Sequence, residues 1–175
     1  MQEESAKCAF FCMKRLYIYI IVLLAVASCH NTYPEYNNVP SVEFLYAPVA
    51  SDSADNKIMF SFMLYDGDGN FGLEAKDTIA PYIDTFQQNF YATAYSIHDG
   101  KSSQLPYNFS YRIPRLRAEN QHKFIKAKVC IDITLAKSAF PYDSVFFTYF
   151  VYDRDLQKSN VDTSSIITFG HVDKK

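Results

Sequence analysis

The sequence predicts an all-β fold, an Ig-like antiparallel β-sandwich of about seven strands behind a cleavable leader and a short tether. Three observations carry this. Seven segments are alternating, aromatic or β-branched, as strands are. Turn signals separate them at short spacing, as in a sandwich. No stretch keeps a 3.6-residue period over three turns. The disulfide and strand Trp of antibody domains are absent, since the chain has no Trp, so the likeness concerns architecture only. The 175 residues carry 17 basic and 19 acidic side chains, a net charge of −2. That balance argues against a nucleic-acid binder, which usually needs a clear excess of Lys and Arg. A hydrophobic content of 49% excludes a disordered chain.

The leader comes first. Lys14 and Arg15 form a basic cluster, and Leu16 to Ala27 follow without charge, Gly or Pro. Twelve residues make about 18 Å of helix, too short for a hydrocarbon core of about 30 Å. The order of basic, apolar and small residues is that of a secretory signal peptide, residues 1–28. Its end, Val26-Ala27-Ser28-Cys29, resembles a bacterial lipobox, in which Cys29 becomes the lipidated first residue. The alternative is an ordinary signal peptide with a chance Cys, or an uncleaved short anchor. Met13 stands directly before the basic cluster and reads as the true start. The acyl chains of a mature bacterial lipoprotein exceed the two-signal threshold for stable membrane anchoring. Cleavage before Cys29 leaves 147 residues with 14 basic and 17 acidic side chains, and Cys130 as the one cysteine besides Cys29. No disulfide framework is available, so stability comes from packing.

Residues 29–40 are the lipidated Cys and a polar, Pro- and Asn-rich tether. No acidic run follows Cys29; set beside the surface-exported lipoproteins of the phylum whose resemblance is given below, some of which carry one there, this implies the periplasmic face of the outer membrane over the cell surface. The sandwich spans 41–175. Ser41 to Ala47 alternates, with Val42, Phe44 and Tyr46 on one side. Lys57 to Tyr65 is a nearly continuous apolar run. Asn89 to Ile97 sets Tyr91, Thr93, Tyr95 and Ile97 against Phe90, Ala92 and Ala94. Asn108 to Ile113 is a short candidate. Lys123 to Leu135 has the clearest period of two, with Ile125, Ala127, Val129, Ile131, Ile133 and Leu135 facing inward. Ser144 to Tyr152 is aromatic and β-branched, and Ser165 to Phe169 is the last strand.

The most specific local motif is Asp66-Gly67-Asp68-Gly69-Asn70-Phe71-Gly72. Three oxygen-bearing side chains at alternating positions can converge on one cation, with Gly allowing tight turns. An EF-hand wants Gly at its sixth position and Glu at its twelfth. Here Phe71 and Asp77 stand there, so a Ca²⁺ site would have another geometry. The same residues also suit a plain hairpin turn. Asp153-Arg154-Asp155 follows the late aromatic strand. In Ig order the run ending at Tyr65 is strand B and the run ending at Tyr152 is strand F. Their following loops share one end of the sandwich, which brings Asp66, Asp68, Asn70, Asp153 and Asp155 together as candidate Ca²⁺ ligands. Carboxylates gathered there repel one another unless a cation neutralises them, and Arg154 offsets one charge at most.

The signal peptide, Asp66 to Leu73 (DGDGNFGL), Asp77-Thr78 with Pro81, Tyr111 to Pro114 and Asp153-Arg154 with Ser159-Asn160 together resemble a family of small Bacteroidetes lipoproteins with a DGDGxxG loop. The similarity covers roughly Val42 to Phe169. It implies a lipid-anchored Ig-like sandwich and no particular activity. Family members more often have Asp where Asn70 stands, so this chain would hold a cation with one charge less.

Other chemistry finds less support. His30, His98, His122 and His171 show no zinc-ligand spacing. No nucleophile elbow or phosphate loop is present. Cys130 falls on the polar face of its strand, flanked by Lys126 and Lys128, and reads as a structural or half-exposed thiol. Arg112, Arg115 and Arg117 with Tyr111 form a basic patch, either an anionic-glycan or headgroup surface or a solvated edge strand guarded by Pro106 and Pro114. The 14 Tyr add a possible stacking surface for sugars, most readily in the loop Asp77 to Gln88. The resulting expectation is a lipid-anchored envelope module, non-enzymatic and binding or structural, with Ca²⁺ stiffening one end. A glycan-binding accessory lipoprotein is the alternative, and an enzyme at the Asp apex is the least supported.

Overall fold

The computed structural model describes residues 36–83, 86–98, 100–117, 124–138 and 140–169. The leader, Cys29, most of the tether, His30, His122 and His171 lie outside these residues. Nine strands follow in order: β1 (Ser41–Tyr46), β2 (Val49–Ser51), β3 (Asp55–Asp66), β4 (Phe90–His98), β5 (Lys101–Tyr111), β6 (Ile125–Ala136), β7 (Ser144–Val151), β8 (Asp162–Thr163) and β9 (Ile167–Thr168). All pairings are antiparallel. One sheet has β3 at its centre, with β1 and β2 along one side and β6 along the other. The other runs β5-β4-β7, with β8 and β9 beyond β7. In Ig terms this is A-B-E against C′-C-F-G, the order that makes β3 strand B and β7 strand F.

The core follows from the period of two. Ile58, Phe60, Phe62 and Leu64 of β3 are buried, as are Val145, Phe147, Tyr149 and Val151 of β7. Phe60 sits between the sheets, edge-on to Phe90, Phe147 and Tyr149 at 5.9, 5.8 and 4.9 Å, the geometry that ring quadrupoles favour. Phe62 stacks on Phe90 at 5.6 Å. On β6, Ile125, Val129, Ile131, Ile133 and Leu135 are buried and Cys130 is exposed, as the alternation predicts.

Four expectations are corrected. Among the described residues the strands number nine, because β2 and β8 are added to the seven. The short candidate at 108–113 is the end of β5, which begins at Lys101 and passes through Pro106; as a sheet edge it tolerates a residue without an N–H donor. In β1, a register shift between Phe44 and Tyr46 turns Tyr46 outward, 40% exposed, where Lys128 Nζ donates to its hydroxyl at 2.6 Å. The final strand covers Ile167–Thr168, shorter than 165–169.

Between β3 and β4 the chain makes a long excursion that is tied down at several points. Leu73 forms a parallel bridge with Pro114, and its N–H donates to the Ile113 carbonyl at 3.0 Å. The buried Asn89 imitates a strand neighbour for Ile113: it donates to the Ile113 carbonyl at 3.1 Å and accepts the Ile113 N–H at 2.6 Å. Gly72 has φ +93°, and a Cβ there would lie 2.3 Å from the Pro114 carbonyl oxygen, so only glycine fits this approach.

Candidate functional site

Asp66 and Asp153 are the next members of two inward-facing rows. Positions 58, 60, 62 and 64 of β3 lead to 66, and positions 145, 147, 149 and 151 of β7 lead to 153. A period of two therefore directs both carboxylates into the end of the sandwich. Their exposures are 0% and 2%. Removing a carboxylate from water without full compensation is costly, and here compensation is partial. Asp66 Oδ2 accepts the Phe71 N–H at 3.1 Å, and Asp153 Oδ1 accepts the Gln157 N–H at 2.7 Å. Asp66 Oδ1 and Asp153 Oδ2 are buried without a hydrogen-bond partner, and so is Asn70 Oδ1.

The five predicted ligand residues come together at this end. Asp68 Oδ1 accepts the Asn70 N–H at 3.1 Å, closing the turn. The Asn70 side-chain amide donates to Asp68 Oδ2 at 3.2 Å and to Asp155 Oδ2 at 2.8 Å. It thus stands between carboxylates from two loops. Burial, followed by the charges of Asp68 and Asp153, pushes the Asp66 carboxyl up to about 7. Burial also raises Asp153, with Asp155 and Asp68 adding to the effect. In both, burial is the larger cause and the neighbouring negative charge adds to it. As the side chains stand, no three His, Cys, Asp or Glu among the described residues converge tightly enough to form a metal cage.

Arginine is close by but directed elsewhere. Arg154 pairs with the buried Asp77 through both guanidinium nitrogens, and this bond holds the Asp77 carboxyl below its ordinary value. Its guanidinium also lies over the Tyr82 ring, 5.2 Å from the centroid, and its carbonyl accepts the Tyr82 hydroxyl at 2.8 Å. Arg154 therefore fastens the 74–83 excursion and does not neutralise Asp153 or Asp155. Sequence reasoning missed this pair, because nothing in local spacing links residues 77 positions apart.

The predicted basic patch is likewise internal. Arg112 donates to the carbonyls of Gln87 at 2.8 Å, Glu74 at 2.6 Å and Asp77 at 3.1 Å. Arg115 donates to the carbonyls of Asn70 and Gly69, stiffening the Asp loop from behind. Tyr111 packs against Phe90. Arg117 alone of the group is exposed. On the outer face of β4 and β7, Tyr91 stacks on Phe150 at 5.4 Å and Tyr95 on Phe146 at 5.0 Å. Lys158 Nζ covers Phe150 at 3.8 Å. Each of these rings thus turns one face to its stacking partner.

Surface clefts among the described residues include the following two. One, about 400 Å³, is lined by residues that include Asp77, Tyr82, Gln88 and Arg112. The other, about 510 Å³, includes Val49, Lys57, Met59 and Asp132. Neither contains Asp66, Asp68, Asn70, Asp153 or Asp155. In comparisons with known proteins, the chain matches no family model, no curated protein and no solved structure.

Proposed function

We propose that this protein is a lipid-anchored β-sandwich of the cell envelope, tethered through Cys29 to the outer membrane and facing the periplasm. It acts as a non-enzymatic binding or structural module. The single observation that supports a structural role for the acidic end is the burial of Asp66 and Asp153, 0% and 2% exposed, where the two inward-facing rows end. A catalytic carboxylate pair works from a concave site that admits substrate, and these two carboxylates close the end of a core. The glycan reading has less support, since Arg112 and Arg115 bind backbone carbonyls and the paired aromatics each turn one face to a partner.

The anchor is tested in a Gram-negative host that expresses the full chain. The expected result is a membrane-fraction protein whose first residue is a diacylglyceryl-modified Cys29, seen by mass spectrometry, with Cys29→Ser abolishing the modification. Export with an unmodified Cys29 contradicts the anchored reading.

A further inference from the structure

We infer that the end of the sandwich is a calcium site, formed by the side-chain oxygens of Asp66 at the end of β3, of Asp68 and Asn70 from the loop that follows it, and of Asp153 and Asp155 from the loop after β7. The inference deepens the structural reading of this end and is independent of the anchor at Cys29.

A cluster of acids alone does not make a site. The independent observation is the orphaned oxygen on each of the two carboxylates that are fully withdrawn from solvent, Asp66 Oδ1 and Asp153 Oδ2. Buried polar atoms are almost always hydrogen-bonded, and an exception calls for a ligand, a water or a strained role. Two such exceptions, one at the end of β3 and one just past β7, in segments that the Asn70–Asp155 hydrogen bond joins at 2.8 Å, point to one missing positive partner. The third orphan, Asn70 Oδ1, adds a neutral oxygen from the same loop.

The current position of Asn70 shows where the ion belongs. Its Nδ2 occupies the gap between Asp68 and Asp155, carrying partial positive charge into a space that favours a full one. Rotating the amide by half a turn exchanges Nδ2 for Oδ1 and converts the wedge into a ligand. The carboxylates then relax toward the ion rather than away from one another.

The donor set selects the metal. All five ligands are hard oxygens, with no imidazole or thiolate, which disfavours zinc and copper. Five side chains, some able to bind through both oxygens, approach the six to eight oxygen ligands that Ca²⁺ takes, with water completing the shell. Mg²⁺ demands a compact octahedron and sheds water reluctantly, a poor match to ligands drawn from two separate loops. A Ca²⁺ ion here joins the B–C and F–G loops directly and closes the end of the sandwich.

Calorimetric titration of the full chain in non-ionic detergent, with CaCl₂ and separately with MgCl₂, tests this. The expected result is one Ca²⁺ per chain, bound at least about tenfold tighter than Mg²⁺. Asp155 is exposed, so Asp155→Asn leaves the fold intact by circular dichroism and weakens Ca²⁺ by roughly tenfold through loss of one ligand charge. Asp68→Asn serves as the second variant. Folded protein that gives no Ca²⁺ binding overturns the inference, and so does binding that neither variant weakens.

Discussion

Asn70 donates its side-chain amide to Asp155 at 2.8 Å, joining two loops that lie 85 residues apart in the chain. The bond is a weak substitute for a cation. It offsets part of the repulsion between Asp68 and Asp155, while the orphaned oxygens of Asp66 and Asp153 remain unmatched beneath it. The end of the sandwich is therefore a place where folding gathers charge that the protein's own side chains leave unbalanced.

Replacing Asn70 with Asp removes that amide and adds a charge. In chelator, Asn70→Asp is expected to lower stability by about 1 kcal/mol, the value of a hydrogen bond to a charged group and a nearby like charge. In Ca²⁺ the order reverses, because a further carboxylate strengthens a hard-cation site. Urea unfolding in both conditions reads the crossing, and a variant weaker than the parent in both denies Asn70 a place among the ligands.

Without metal, stability depends on pH with a definite sign. The Asp66 carboxyl moves from the ordinary 3.8 to about 7 in the folded state. Between those limits the folded chain holds a proton that the unfolded chain has released, so stability falls as pH rises through this window. In chelator the melting temperature is expected to be higher at pH 5 than at pH 8, with Asp66→Asn flattening the slope. Asp77 is shifted the opposite way by Arg154; its contribution is lost only as pH falls below the ordinary carboxyl range and stays outside this window.

Arg154 and Asp77 are 24% and 8% exposed as side chains, a pair mostly removed from water. Arg154→Met leaves Asp77 charged and buried without its partner, which costs about 3 kcal/mol. The double variant Asp77→Asn with Arg154→Met recovers part of this loss. Additive losses in that cycle mean that the two residues do not act as a pair.

Gly67 lies under the incoming chain. Its N–H donates to the Asn37 carbonyl at 2.9 Å, and a Cβ would stand 2.2 Å from the Tyr36 carbonyl oxygen. Gly67→Ala is expected to destabilise by about 2 kcal/mol through this overpacking. Limited proteolysis is expected to cut the variant earlier at Tyr36–Asn37 than the parent, and an unchanged pattern denies the contact.

Much of this was legible in the sequence because strand parity is a local code. The inward set of β6 follows from alternation alone, and the Ig strand order placed Asp66 and Asp153 at one end. The same parity carries the missed signal: counting on by two from Leu64 and from Val151 lands on both buried aspartates and distinguishes them from Asp68 and Asp155. The first half of β5 (KSSQLPY) was not legible, because an edge strand with solvent on most positions shows no hydrophobic alternation. The roles of Arg112 and Arg115 were hidden for another reason. Their partners are backbone carbonyls, and a carbonyl leaves no mark in sequence. Tyr46 was misassigned because a bulge reverses parity without a Gly or Pro to announce it.

The most direct measurement is the thermal unfolding of the full chain in detergent at pH 7.5, in chelator and across rising Ca²⁺. The account predicts a melting temperature that climbs with the logarithm of Ca²⁺ concentration, as mass action on a native-state site requires, and a climb that Asp153→Asn removes. Superimposed curves in Ca²⁺ and chelator would contradict it and return Asp66 and Asp153 to the status of unbalanced charges at the end of a plain turn.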